Sequence, residues 1–292
     1  MPSLSRLLFP TDLSSRADAA MSHAVFMAKL YGADLHVLHV VEEEGEDEDE
    51  LLRAQQEIEE RIASIRADIE GPSVIKVDVR RGEAAAPVVC DYAEEVEIDL
   101  IVISTHGRRG VRRMFLGSVA EEIIRAAPCH VYTIRFDDEL PAPRTPRRIV
   151  VPIDFSEFGA RALRAARRIA VDEGEYHLIH AVEEVVPPGV YGLEYPSYHE
   201  LSVEIEKNAR AEMESMVSGQ IGEGGTYRVV VRTGYAPSVI TSYAEEIDAD
   251  LIVVSSHGRS GFERWLLGSV AEQVIRTAEG AVLTVRAQEN QS

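Results

Sequence analysis

Short apolar runs alternate with longer stretches of helical spacing, and the whole alternation occurs twice. Arg6–Pro10 is a brief apolar run whose length predicts a strand. Between Ser14 and Leu30, Ala17, Ala20, Met21, Ala24, Met27 and Ala28 fall three and four residues apart, the spacing of one helix face. Asp12, Ser14 and Ser15 stand at its start as capping groups. Asp34–Val41 predicts the next strand. Leu51–Ile69 predicts a helix with Leu51, Ile58, Ile62, Ile65 and Ile69 on one side. Val74–Val79 alternates as a half-exposed strand does. Ala85–Val96 reads as a helix, Leu100–Ser104 as an apolar strand, Ser118–Ala127 as a helix and Val131–Arg135 as a strand. A second set ends with the strand Val282–Arg286.

The two sets are a sequence repeat. RLLFPTDLSS (6–15) answers RIVVPIDFS (148–156), DLIVISTHG (99–107) answers DLIVVSSHG (250–258), and LGSVAEEIIR (116–125) answers LGSVAEQVIR (267–276). Asp12 matches Asp154 at an offset of 142, and Gly107 matches Gly258 at an offset of 151. The later copy therefore holds about nine more residues, which fit the stretch 183–199. Between the copies, Pro141–Pro146 has three prolines in six residues, a stiff, extended linker. The expected domains are 1–140 and 147–292. Alternating β and α with apolar strands predicts an α/β fold of two doubly wound parallel sheets, each covered by helices on both faces. Such sheets take ligands at the carboxyl ends of their strands, so the loops after the strands hold the candidate chemistry.

The loop after the fourth strand is the most specific. It runs Ser104-Thr-His-Gly107, nine residues, then Gly117-Ser118; the second copy runs Ser255-Ser-His-Gly258, nine residues, then Gly268-Ser269. A helix follows at once. A helix start offers unpaired N–H groups and partial positive charge, and glycine lets an anion approach the backbone. A phosphate cradle fits this pattern; so does a plain helix cap after an ordinary loop. Arg108 and Arg259, with Arg109, Arg112, Arg113 and Arg264, add local positive charge. After the first strands come Asp12 and Asp154. Each suits a cap, a contact to an adenine amine or ribose hydroxyl, or a metal-bound water. Adjacent first and fourth strands would set Asp12 opposite the Gly107 loop. His39 and His180 near the second-strand ends read as partly buried strand histidines. The backbone that follows them, at Val40 and Ala181, can meet the edge of a purine.

Composition narrows the partners. Thirty Lys+Arg against fifty Asp+Glu give a net charge of −20, which argues against nucleic acid and anionic membranes. Local arginines still outweigh distant carboxylates at physiological salt, because exposed charges are screened beyond ~8 Å. Only Lys29, Lys76 and Lys207 are lysines; a saline cytosol and an arginine-rich codon bias both account for this. The acidic run Glu42–Glu50 reads as a solvated, mobile loop. No apolar stretch is long enough to span a membrane, no signal peptide is indicated, and the two cysteines form no disulfide framework, so a cytoplasmic location is expected. No His/Cys cluster has metal-ligand spacing, and neither loop carries a Walker lysine. No catalytic residue is assigned.

Both halves resemble the universal stress protein family, whose nucleotide-binding branch carries Gly-x-x-Gly, nine residues, then Gly-Ser or Gly-Thr. The pattern falls on Ser104, Gly107, Gly117 and Ser118, and on Ser255, Gly258, Gly268 and Ser269, with serine in place of the first glycine in both halves. The resemblance implies a Rossmann-like sheet of the adenine nucleotide alpha hydrolase kind, with strand order 3-2-1-4-5. It implies ATP, with or without Mg²⁺, between the first and fourth strand ends. Asp12 and Asp154 would contact the nucleotide, and the backbone of Val40 and Ala181 would meet adenine. It further implies an intrachain pseudo-dimer through the fifth strands, Val131–Ile134 against Val282–Val285, with homodimers among tandem members. Two other functions stay open from sequence: a slow ATPase or phosphotransferase, and a scaffold with one or both cradles empty.

Overall fold

The computed structural model describes residues 4–42, 48–68, 74–106, 116–136, 142–170, 174–183, 196–220, 225–256 and 267–286. The first half runs β1 (Arg6–Thr11), α1 (Ser15–Tyr31), β2 (Asp34–Val41), α2 (Glu48–Asp68), β3 (Ile75–Arg81), α3 (Ala85–Glu95), β4 (Leu100–His106), α4 (Ser118–Ala126) and β5 (His130–Phe136). The second runs β6 (Arg148–Pro152), α5 (Glu157–Ile169), β7 (Glu175–Val182), α6 (Pro196–Gln220), β8 (Thr226–Thr233), α7 (Ala236–Glu246), β9 (Leu251–Ser255), α8 (Ser269–Thr277) and β10 (Ala281–Val285).

The strands line up as β3-β2-β1-β4-β5-β10-β9-β6-β7-β8. Each half is parallel within itself and has the order 3-2-1-4-5. The two five-stranded parallel sheets expected join into one ten-stranded sheet, because β5 and β10, the fifth strands expected to meet, pair antiparallel with Val282 opposite Thr133 and Thr284 opposite Val131.

Strand alternation explains the two-layered core. Side chains one apart point to opposite faces, and both faces of the inner strands are covered, so those strands are largely apolar, while the edge strands β3 and β8 carry charged residues. Leu7, Phe9, Leu35 and Val37 face one layer with Met21, Ala24, Ile58 and Ile62. Leu8, Leu38 and Ile101 face the other with Val89, Ile123 and Ile124. Each layer runs through both halves, taking in Ile149 and Val151 on one side and Val150 and Ile252 on the other.

The acidic run is not all loop. Glu48 to Glu50 open α2, and Glu42 accepts a hydrogen bond from the N–H of Ala85 at 2.8 Å. Gly82 is required where it stands: a Cβ there would meet Cγ2 of Val88 at 2.3 Å.

Candidate functional site

Within each half the strand order reverses beside the first strand. β1 lies between β2 and β4, and β6 between β7 and β9, so a crevice forms at the carboxyl ends of these strands. In the second half a cleft of about 520 Å³ occupies this place, a volume in the range of small-molecule sites. Asp154, Ala181, Gly268 and Ser269 all line it, together with His180 and Glu183.

One wall is the start of α8. Gly268 takes φ −62 and ψ 142 before the helix, its N–H donates to Ser256 C=O at 2.8 Å, and among the described residues no side chain caps the helix. Gly117 before α4 takes φ −62 and ψ 144, and among the described residues no side chain caps that helix either. By contrast, α1 is capped by its own Ser14, whose Oγ accepts from Ala17 N–H at 3.2 Å. Uncapped first-turn amides leave a partial positive charge facing outward. At Gly117 the dihedrals suit any residue, and a Cβ would meet nothing within 4 Å. Neither backbone nor packing demands a glycine there; what it leaves is open space above the amides.

The opposite wall is the turn after the first strand. Asp154 Oδ1 accepts from Ser156 N–H at 3.0 Å and from Ser156 Oγ at 2.5 Å. Asp12 Oδ1 accepts from Ser14 N–H at 3.0 Å. The residue after each aspartate, Leu13 and Phe155, has φ of 58 and 60, a left-handed conformation that costs a non-glycine residue roughly 1–2 kcal/mol. Strain repeated at one place in both halves marks turns whose shape is held from outside. The holder is a histidine. Nδ1 of His39 lies 2.8 Å from Thr11 C=O, and Nδ1 of His180 lies 2.7 Å from Ile153 C=O. A carbonyl only accepts, so each ring donates from Nδ1–H and ties the second strand's end to the residue before the aspartate. The ring of Phe155 stands 4.6 Å from that of His180. Sequence reasoning read these histidines as partly buried strand residues, which they are, without the tie to the turn; its signal was recurrence at the same strand position in both halves.

The remaining sequence candidates are placed as follows. Val40 is buried near the end of β2, and Ser118 is exposed at the first turn of α4. Gly107, Arg108, Gly258 and Arg259 lie outside the described residues, as do the other loop arginines. Among the described residues no group of three or more His, Cys, Asp or Glu can hold a metal ion, and no helix is long and apolar enough to cross a membrane.

Known proteins give this architecture a family. A model of the universal stress protein family matches residues 4–135 and again 145–286. The chain belongs to the universal stress protein family. It is a tandem member, with two family units in one chain. It is 26% identical over 297 residues to a universal stress protein of Mycolicibacterium smegmatis, covering 96% of each chain. It is 36% identical over 142 residues to one from Methanocaldococcus jannaschii, covering 48% of this chain and 82% of that relative. The fold matches the crystal structure of a universal stress protein from Archaeoglobus fulgidus with a TM-score of 0.66 at 22% identity, covering 99% of this chain and 100% of the other. The tandem universal stress protein thus shares its Rossmann-like fold with that solved structure along its whole length.

Proposed function

We propose that each half of this protein holds an adenine nucleotide, ATP, and that the protein serves as a nucleotide-occupied signalling module of the stress response in the cytoplasm. The observation that carries this reading is the second-half cleft, open between the uncapped start of α8 and Asp154. Helix amides and glycine suit a polyphosphate, and an acceptor carboxylate suits a hydroxyl or amine on the nucleoside. Gly107, Arg108, Gly117 and Ser118, with Gly258, Arg259, Gly268 and Ser269, would embrace the phosphates. Asp12 and Asp154 would contact the nucleoside. Val40 and Ala181 would offer backbone to the base. Mg²⁺, where present, suits the phosphates and one carboxylate, the usual company of that ion.

The functional units on this reading are 1–140 and 147–292, and the antiparallel β5–β10 seam makes them a built-in pseudo-dimer. Nucleotide would signal by favouring one of two conformations of the protein, an effect that requires different affinities for the two.

Calorimetric titration with ATP tests the reading. Wild type binds, and the double variant Gly117→Val, Gly268→Val, its folding checked by a thermal melt, loses at least tenfold in affinity; at 117 a Cβ has free space among the described residues. Undiminished binding by the folded double variant removes the cradle.

A further inference from the structure

The two halves differ in a carboxylate placed directly after their second strands. In the first half Glu42 reaches over to the start of α3 and accepts from Ala85 N–H at 2.8 Å. Its counterpart Glu183 follows β7, is exposed and lines the cleft, and so does Ala236, the counterpart of Ala85. Among the described residues Glu183 makes no such bond to α7 or to any other group. We infer that Glu183 makes the second-half cleft select a 6-aminopurine nucleotide over a 6-oxopurine nucleotide. This rests on the nucleotide reading of the cleft and adds a residue that reads the base.

The polarity of the cleft sets the direction of the ligand. Phosphates are drawn to the amides of α8 and repelled by the carboxylate on the β7 side, so the base lies at the Glu183 end. There β7 outruns its neighbour. Pairing with β6 stops at Pro152 opposite Ile179, and Ile179 C=O accepts from Ile153 N–H at 2.8 Å. By the two-residue repeat of a strand, Ala181 C=O points the same way, past the end of β6. Glu183 stands two residues on, just past the end of β7, and lines the same cleft. The base end of the cleft therefore presents two acceptors: a backbone carbonyl and an ionised carboxylate, which has no proton to give.

A 6-amino group answers both, since it carries two N–H donors. A 6-oxo group sets a third acceptor against them, and the single N1–H beside it can answer only one, leaving the other acceptor facing O6. The first half, with Glu42 engaged at α3, lacks this second acceptor and discriminates less.

The test uses the full chain carrying Gly117→Val, so that binding reports the second half alone, with a stoichiometry of one. ATP and inosine triphosphate are titrated into this protein and into its Glu183→Gln derivative, with circular dichroism melts to establish folding. The expected result is ATP tighter than inosine triphosphate by tenfold or more with Glu183. With glutamine, whose amide can donate to O6, the ratio falls to threefold or less. A ratio that Glu183→Gln leaves unchanged overturns this inference and leaves the nucleotide reading standing. Binding of neither triphosphate overturns both.

Discussion

Two residues recur in both halves as buried pairs remote from the cleft, and they set an acid limit on the fold. Nδ1 of His36 lies 2.8 Å from the Tyr92 hydroxyl, and Nδ1 of His177 lies 2.6 Å from that of Tyr243. Nε2 of His36 has no partner; Nε2 of His177 lies 3.3 Å from Glu175 Oε1 without the alignment of a hydrogen bond. Burial pushes both imidazoles below their ordinary value, reinforced at His36 by Lys76 and opposed at His177 by Glu175. Arg6 also lowers His36, and Asp34 and Asp78 raise it; Arg228 and Arg148 lower His177. A group whose proton is held less tightly in the folded state costs stability once the unfolded chain takes that proton up. The contribution is complete above pH ~6.5, the unfolded value, and is lost as pH falls from there toward the folded value. Urea unfolding at pH 7.5 and 5.5 should therefore show a lower midpoint at the acid pH, and His36→Gln with His177→Gln should flatten the difference. An unchanged slope in that variant would put the acid sensitivity elsewhere. These pairs were invisible in sequence because a strand histidine and a helix tyrosine 56 residues away carry no joint pattern until the fold brings them together. The left-handed Leu13 and Phe155 were hidden for a related reason: glycine or asparagine signals that conformation, and neither stands there.

The helices that would cradle phosphate also join the two halves. On α4, Glu121 pairs with Arg125 at 3.0 Å, and on α8, Glu272 pairs with Arg276 at 3.0 Å. Across the seam Arg276 meets Glu121 at 2.9 Å and Arg125 meets Glu272 at 3.6 Å, closing a ring of alternating charge. Two further arginines secure the ends: Arg135 donates to Arg276 C=O at 2.6 Å, and Arg286 donates to Ala127 C=O. Exposed pairs are worth little, but Arg276 and Glu121 keep only 18% and 27% of their side-chain exposure, and each holds more than one partner. A double-mutant cycle on Glu121→Ala and Arg276→Ala should give a coupling of about 1 kcal/mol, falling with added salt. Additive losses would mean that the helices are held by apolar packing alone. The elements themselves were largely legible. Asp34–Val41 is a strand as its pattern predicts, and α4 starts at Ser118 as expected. Edges shifted where pairing outran composition: β4 continues through Thr105 and His106, whose polar side chains do not signal a strand. The charge ring could not be read, since Glu121 and Arg125 at helical spacing look like an ordinary surface pair.

For the molecule as a whole, the seam between β5 and β10 decides how the chain behaves. Cutting the chain after residue 140 would bare β5, whose Val131, Tyr132 and Thr133 otherwise face β10. An unpaired strand of this kind recruits another. Residues 1–140 expressed alone should form a symmetric dimer through β5, measurable by sedimentation equilibrium; a stable monomer at micromolar concentration would show that the seam contributes little. The repeat in the sequence foretold two equivalent halves. That the fifth strands meet came from the family resemblance; the register of their pairing, Val282 opposite Thr133, carries no signal in the repeat itself. That antiparallel join has a geometric outcome. Strands within a half all point one way, and the halves point in contrary senses, so the carboxyl ends of the two sets of strands lie on opposite rims of the slab. A flat receptor can cover only one rim at a time. Engaging both requires two receptors, and a receptor that is itself two-faced would thread successive copies into a string.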